Sequence, residues 1–141
     1  MSTAVTRTSA QQNKVIAHEF YARISEGDID GALALMSRDA TWWLPGDPSA
    51  MPVAGLYTKD EITQLILRMT LNVRGRLIST VTGMVAEGDK VALEVETTGE
   101  LHNGRSYHDQ YHTLMRISDG EIREIREYHD TQHTYAIWFA D

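Results

Sequence analysis

Asp109, Glu127, His129 and Asp130 are the residues whose types and spacing suit chemistry. They stand among phenols and further imidazoles in Gly104-Arg105-Ser106-Tyr107-His108-Asp109-Gln110-Tyr111-His112 and in Glu127-Tyr128-His129-Asp130-Thr131-Gln132-His133. Two carboxylates and an imidazole form the usual equipment for general acid–base catalysis. A carboxylate in an apolar pocket has its pKa raised by desolvation, and a second acid nearby raises one of the pair further. His129 is then available to orient Glu127 or to shuttle its proton. The plainer expectation is that Asp109 and Glu127 are structural acids, hydrogen-bonded near the rim of a sheet.

Ser118-Asp119-Gly120 lies between these two runs, and an Asp-Gly turn flanked by extended segments is a strong hairpin signal. Alternation then sorts the side chains. Asp109, Tyr111, Thr113, Met115 and Ile117 share one face of the first strand, against His108, Gln110, His112 and Leu114. On the second strand Ile125, Glu127 and His129 oppose Arg126, Tyr128 and Asp130. Strict alternation turns Asp130 outward. A bulge would bring it in as an acid/base group, whereas its alternative role is to cap the turn into Thr131 through backbone N–H groups.

The histidines do not suggest a metal. His108 and His112 are four apart, which on a strand separates them by about 13 Å on one face, and His129 and His133 meet the same objection if the strand continues. No metal site is expected. The outward row His108, Gln110, His112 and Tyr128 suits a dimer interface instead.

At 141 residues the chain fits one domain with a core of its own. There is no cysteine, which excludes disulfides and thiolate metal sites. A hydrophobic content of 42% with 23% charged residues is that of a globular protein. The net charge of −7 opposes nucleic-acid binding, which needs a basic face. No run approaches the roughly 18 apolar residues of a spanning helix, so neither nucleic acid nor membrane is an expected partner. The expected location is cytoplasmic.

Residues 1–13 are small and polar and read as a flexible tail before a single domain over 14–141. Val15, Ile16, Phe20, Tyr21 and Ile24 form the stripe of a first helix ending at Glu26-Gly27-Asp28. Ile29, Ala32, Leu33 and Met36 then face inward on a short second helix capped by Asp28. Asp39 to Leu44 reads as a short strand, and a loop runs through Pro52 and Gly55. Thr58-Lys59-Asp60-Glu61 is a capping box for a third helix. Four extended runs follow, 73–85, 90–101, 106–117 and 121–130, separated by turn residues as in an antiparallel meander. The fold class is α+β: a cone-shaped fold of three N-terminal helices packed on a curved, mainly antiparallel sheet, enclosing a pocket.

Several pieces recur in a characteristic order. They are Phe20-Tyr21 before Gly27-Asp28-Ile29, Asp39-Ala40-Thr41-Trp42, Gly55 before the third helix, Gly104-Arg105-x-Tyr107-x-Asp109, and Asp119-Gly120-x-Ile122-x-Glu124-x-x-Glu127-Tyr128-x-Asp130-Thr131. Together they resemble the nuclear-transport-factor-2-like superfamily, in its ketosteroid-isomerase-like and SnoaL-like branch, over about residues 14–135. The resemblance implies a homodimer, here through the sheet face, and a pocket that receives a hydrophobic small molecule. It places Glu127, His129 and Thr113 inward and thereby brings Asp109 and Tyr111 into the cavity. Trp42 matches a pocket-lining position; Tyr21, Tyr57, Leu44 and Phe20 are further candidates for the wall.

The resemblance also limits the chemistry. In the steroid isomerases the general-base aspartate, the oxyanion-hole tyrosine and the oxyanion-hole aspartic acid fall on Leu44, Phe20 and Thr113 here, so steroid isomerisation by that machinery is not expected. Relatives resembling limonene-epoxide hydrolase bridge two aspartates with an arginine. Those positions hold Glu127, Glu96 and Glu94 here, which removes the bridge. The implied function is cofactor-independent acid/base catalysis, isomerase-, cyclase- or lyase-like, on a hydrophobic cyclic or polyketide-like compound. Glu127 or Asp130 would act as acid/base, tuned by Asp109 and His129. The alternatives are a non-catalytic ligand-binding or accessory protein, or an epoxide-hydrolase-like enzyme.

Overall fold

The structure, a computed structural model, describes the backbone of residues 2–141 and the side chains of residues 9–141. Helix α1 spans Ser2–Ser25 and so begins well before the expected start at residue 14. Ala4 to Gln12 lacks the strong breakers Gly and Pro, and Ala4, Arg7, Ala10, Gln11 and Gln12 offset the weaker helix formers Val5, Thr6, Thr8 and Ser9. Asn13, assigned to the tail by its polarity, is buried and donates from its amide to the Ile117 carbonyl at 3.2 Å.

Gly27, at φ +81°, ends α1, and Asp28 caps α2, Ile29–Leu33, by accepting from Gly31 N–H at 2.9 Å. Met36, expected on the inner stripe of that helix, is instead the first residue of strand β1, Met36–Leu44, and is buried there. The segment read as a loop contains a further strand, β2, Gly55–Thr58, antiparallel to β1. Its four residues are too few for alternation to be legible. Thr58 and Glu61 form the expected capping box at the start of α3, Lys59–Thr70.

Strands β3, Val73–Glu87, β4, Lys90–Leu101, β5, Ser106–Ser118, and β6, Glu121–His129, follow as the meander. At the β5–β6 turn Asp119 and Gly120 both have positive φ, 51° and 78°, as a type I′ turn requires. The six strands lie in the order β2-β1-β6-β5-β4-β3, all neighbours antiparallel except β1 and β6. That one parallel contact sets Trp42 beside Ile125, two residues before Glu127 on the same face of β6. Helix α1 lies against β3 and α3 against β1, so the helices cover one face of the curved sheet.

A fourth helix, α4, Thr131–Thr134, was not among the expected elements; it continues as a π-helical turn over Tyr135–Phe139. Arg105 secures this segment. Its guanidinium Nη1 donates to the carbonyls of Ala136 and Ala140, each at 2.9 Å, supplying partners to groups a helix end leaves unpaired.

No helix among the described residues is long and apolar enough to cross a membrane, which leaves β-barrel crossing unaddressed. Nor, among them, do three or more His, Asp or Glu side chains gather as metal ligands.

Candidate functional site

The inner faces of β4, β5 and β6, with α1, α3 and the C-terminal segment, enclose a cavity of about 330 Å³, within the range of small-molecule sites. Ile24, Leu44, Ile62, Leu65 and Ile66 supply its apolar side, while Gly75 and the exposed Arg76 mark its open end. The polar groups concentrate on the sheet. Antiparallel pairing puts Thr113 opposite Glu127 and Tyr111 opposite His129, as alternation requires.

Glu127 is only 8% exposed and lines the cavity. Tyr21 Oη donates to Glu127 Oε2 at 2.7 Å and lies 2.7 Å from Thr113 Oγ1. Burial pushes the Glu127 carboxyl above the usual range, and Asp109 adds to the rise. The Tyr21 hydrogen bond, the neighbouring His129 and the Trp42 indole counteract it only in part. Burial raises the Tyr21 and Tyr111 phenols well above their ordinary value, so both serve as neutral donors.

Asp109 has the opposite fate. It is 1% exposed, and burial alone would push its carboxyl up, yet hydrogen bonds outweigh burial and hold it below the ordinary value. Its Oδ1 accepts from the Gln110 and Asp130 backbone N–H groups, and its Oδ2 from the Thr134 hydroxyl at 2.8 Å. The Tyr107 hydroxyl lies within reach of the same oxygen at 3.2 Å. Asp109 is therefore an ionised structural acid behind the wall and does not line the cavity. Because Thr134 spends its only hydroxyl hydrogen on Asp109, His129 Nδ1, 2.9 Å from Thr134 Oγ1, must donate. That fixes the Nδ1–H form of His129 and leaves Nε2 as the other functional nitrogen. The two acids thus differ: Asp109 is satisfied and charged, whereas Glu127 is desolvated with a raised pKa.

Of the expected wall, Trp42, Tyr111, Tyr21, Leu44, Glu127 and His129 line the cavity. Five expectations require correction. Phe20 is fully buried and packs its ring against Tyr21 and Trp42 from behind. Helix phase turns Tyr21, one residue later, toward the carboxylate. Thr113 touches Tyr21 but is shielded by it from the cavity. Tyr57 donates to the Val53 carbonyl at 2.7 Å and stays outside the wall. Asp109 belongs behind the wall, as described. Asp130 is exposed and caps α4 by accepting from His133 N–H at 3.1 Å, so its acid/base role is not supported. The epoxide-hydrolase-like acid pair does not form either. Glu96 and Glu94 are exposed on the outer face of β4, while the buried Thr97 takes the inward place.

Sequence reasoning missed Thr97, Tyr107, Thr134 and Trp138 among the lining groups. Tyr107 carried a signal, being two and four residues from Asp109 and Tyr111. Trp138 carried none, because a π-helical turn has neither the period of a strand nor that of an α-helix.

The outer face is separate. Trp43 points away from the cavity, with the Arg126 guanidinium 4.1 Å from its ring centroid and the Tyr128 ring at 5.1 Å. His108 and His112 are both exposed on that side.

A SnoaL-like domain profile matches residues 17–125. The chain belongs to the SnoaL-like family. The matched stretch ends two residues before Glu127, so family membership fixes the scaffold and leaves the acid to be argued from geometry. Among solved structures, this SnoaL-like chain is similar to a nuclear-transport-factor-2-like protein of unknown function from Burkholderia pseudomallei. That pair is 19% identical over 92% of this chain and 98% of the other, with TM-score 0.80. A protein of unknown function with a cystatin-like fold from Xanthomonas campestris is 27% identical over 89% and 97% of the two chains, with TM-score 0.77. TerC, co-crystallised with polyporic acid, is 17% identical over 89% and 97%, with TM-score 0.78. No curated protein matches the sequence. The likenesses support the nuclear-transport-factor-2-like cone fold.

Proposed function

We propose that this SnoaL-like protein is an acid/base enzyme, isomerase-, cyclase- or lyase-like, acting on a hydrophobic cyclic or polyketide-like small molecule. The observation that carries the reading is Glu127: a desolvated carboxyl with a raised pKa, on the wall of a mainly apolar cavity, held in place by Tyr21. Such a group, its pKa raised by burial, is suited to take a proton and give it back. His129, oriented through Nδ1 by Thr134 and Asp109, exchanges protons with Glu127 or with the ligand. A proton removed at one atom and returned at another leaves the substrate's redox state unchanged, so this chemistry calls for no cofactor. The co-crystallisation of the similarly folded TerC with polyporic acid supports a small organic ligand in this scaffold.

A homodimer through the outer sheet face accompanies this reading. Ile78, Val85 and Tyr128 are exposed large hydrophobic residues on that face, beside the Trp43–Arg126 stack. Association there would leave the cavity open on the other side of the sheet.

The test is a panel of polyketide-type and cyclic ketones incubated with the protein and with Glu127→Gln, followed by mass spectrometry and chromatography. Conversion by the wild type and none by a folded Glu127→Gln is the expected result. Conversion by the variant at the wild-type rate overturns the role of Glu127. Ligand affinity that survives Glu127→Gln and Asp130→Asn, with no conversion by any form, makes the chain a binding protein instead.

A further inference from the structure

Arg76 is the only arginine or lysine among the described residues that lines the cavity, and it stands at the open end. Three local features hold it there. Between the pairs Arg74–Glu100 and Ile78–Thr98, β3 carries three residues against one on β4, a bulge in which Gly75 takes φ +80° and which re-aims the side chain that follows. The Arg76 stem then crosses Gly27, where a Cβ would lie 2.9 Å from Arg76 Cδ. Its Nη1 donates to the Glu26 carbonyl at 2.6 Å, just beyond the end of α1. Ser25 and Ser79 pin the same helix end to β3, Ser25 Oγ donating to the Ser79 carbonyl at 3.0 Å and accepting from the Ser79 N–H at 2.8 Å. The rim is thus fixed.

A cap on the end of α1 accounts for one of these contacts and leaves most of the guanidinium over. That group keeps its charge and has five N–H donors in a planar fork, of which the Glu26 carbonyl takes one. No carboxylate of the described residues stands within 4 Å of Arg76, although the chain has 20 acidic residues to 13 basic ones. Arg23 and Arg123, by contrast, have carboxylate partners, and Arg126 lies over aromatic rings. The rest of the wall gives a ligand its direction. Glu127 is itself an acid, and Ile24, Ile29, Leu65, Ile66 and Met69 are apolar, so an anionic group is disfavoured inside and favoured at the mouth.

We infer that the ligand is an amphipathic carboxylic acid, its carboxylate bound at the mouth by the Arg76 guanidinium and its apolar body inside the cavity with the far end toward Glu127. This rests on the reading of the cavity as the ligand site and adds what the acid/base reading leaves open, the head group and the direction of entry. A single guanidinium suits a singly charged, planar carboxylate. Arg76 binds and orients, and touches no reacting atom.

The test uses the full-length chain and matched pairs of acid and primary amide: benzoate with benzamide, 2-naphthoate with 2-naphthamide, 9-anthroate with 9-anthramide. Each pair shares a shape and differs in charge. Affinities are measured by titration calorimetry at neutral pH. At low salt the best-fitting acid should bind about fivefold tighter than its amide, as an exposed ion pair allows, and the preference should vanish in about 1 M salt, where screening acts within ~3 Å. Arg76→Gln should abolish the preference and keep the amide affinity, and Arg76→Lys should retain part of it. Arg74→Gln, at a neighbouring exposed arginine that does not line the cavity, should leave it unchanged. The arginine Nε–H resonance that Arg76→Lys removes should move with the acid and not with the amide.

Equal affinity for acid and amide in every pair, a preference that survives Arg76→Gln or high salt, a preference lost only in Arg74→Gln, or no binding of any acid each overturns the inference. Should Arg76→Gln fail to fold for want of the Glu26 bond, the wild-type salt dependence, the Nε–H resonance and Arg76→Lys decide. Glu127→Gln separates the two readings. Acid preference with turnover indifferent to Glu127 refutes only the acid/base role, whereas turnover dependent on Glu127 without acid preference refutes only the carboxylate at Arg76.

Discussion

Tyr21 Oη on α1 donates to Glu127 Oε2 on β6 at 2.7 Å, joining the first helix of the chain to the last strand of the sheet. The bond has a thermodynamic direction: it favours the charged carboxylate against a burial that disfavours it. Thr113 Oγ1 completes the chain at 2.7 Å, and donates to Tyr21 whenever Tyr21 donates to Glu127. Protonation of Glu127 can reverse both bonds without moving a heavy atom.

Tyr21→Phe should therefore raise the Glu127 pKa further. A carbon-13 titration of the Glu127 carboxyl would show its midpoint at higher pH in the variant, and an unchanged or lower midpoint would refute the coupling. Removing a buried hydroxyl with two partners should also destabilise the fold by about 1–2 kcal/mol, read from denaturant unfolding.

The raised pKa of Glu127 also sets a pH dependence of stability. A carboxyl raised on folding contributes stability that is fully present below its unfolded pKa, ordinarily 4.5, and lost as pH rises through the folded value. Glu127→Gln cannot titrate and escapes this loss. The unfolding free energy of Glu127→Gln relative to wild type should accordingly climb as pH increases above about 4, by roughly 1.4 kcal/mol for each unit separating the two pKa values, as read from urea unfolding at a series of pH values. A difference that is flat or falls with pH would contradict the desolvated state of this carboxyl.

How far the sequence reveals such a site depends on the period of each element. The β5–β6 hairpin was legible because Asp119-Gly120 sets its turn and alternation puts Thr113 and Glu127 face to face. Alternation gives the face of a residue but not its depth. Asp109 lies on the inner face and is nevertheless walled off, because Tyr107, Thr134 and the Asp130 backbone close around it. The choice between Phe20 and Tyr21 turned on one residue of helix phase, which an aromatic pair on a stripe leaves open. The second barrier was the C-terminal segment, whose Trp138 and Thr134 reach the cavity through a short helix and a π-helical turn with no readable pattern.

Asp109→Asn should behave oppositely to Glu127→Gln. A carboxyl held below its ordinary value of 3.8 contributes stability above that pH and loses it as pH falls through the folded value. The Asn variant keeps an oxygen for the two backbone N–H groups but turns an amide donor toward the Thr134 hydroxyl. A loss of about 2–3 kcal/mol at neutral pH is expected, shrinking in acid as the wild type itself becomes protonated. Urea unfolding at a series of pH values measures both, and a loss that grows in acid would count against an ionised Asp109.

Arg105→Ala tests how the C-terminal wall is held. The guanidinium Nη1 donates to Ala136 and Ala140 carbonyls and stands 3.4 Å from that of Ile137, while the Asn103 amide reaches the same Ile137 oxygen at 3.2 Å. Alanine leaves the Asn103 amide as the remaining side-chain bond to the carbonyls of the π-helical turn, a short segment that cannot sustain itself without tertiary support. Global stability should fall only by about 1 kcal/mol, since the core of β4, β5 and β6 does not depend on this contact. Local opening should increase far more. Amide hydrogen exchange ought to accelerate across residues 131–140 while the inner strands keep their protection. Uniform acceleration throughout the chain would mean that Arg105 supports the whole fold, and unchanged exchange in 131–140 would mean that the segment is held without it.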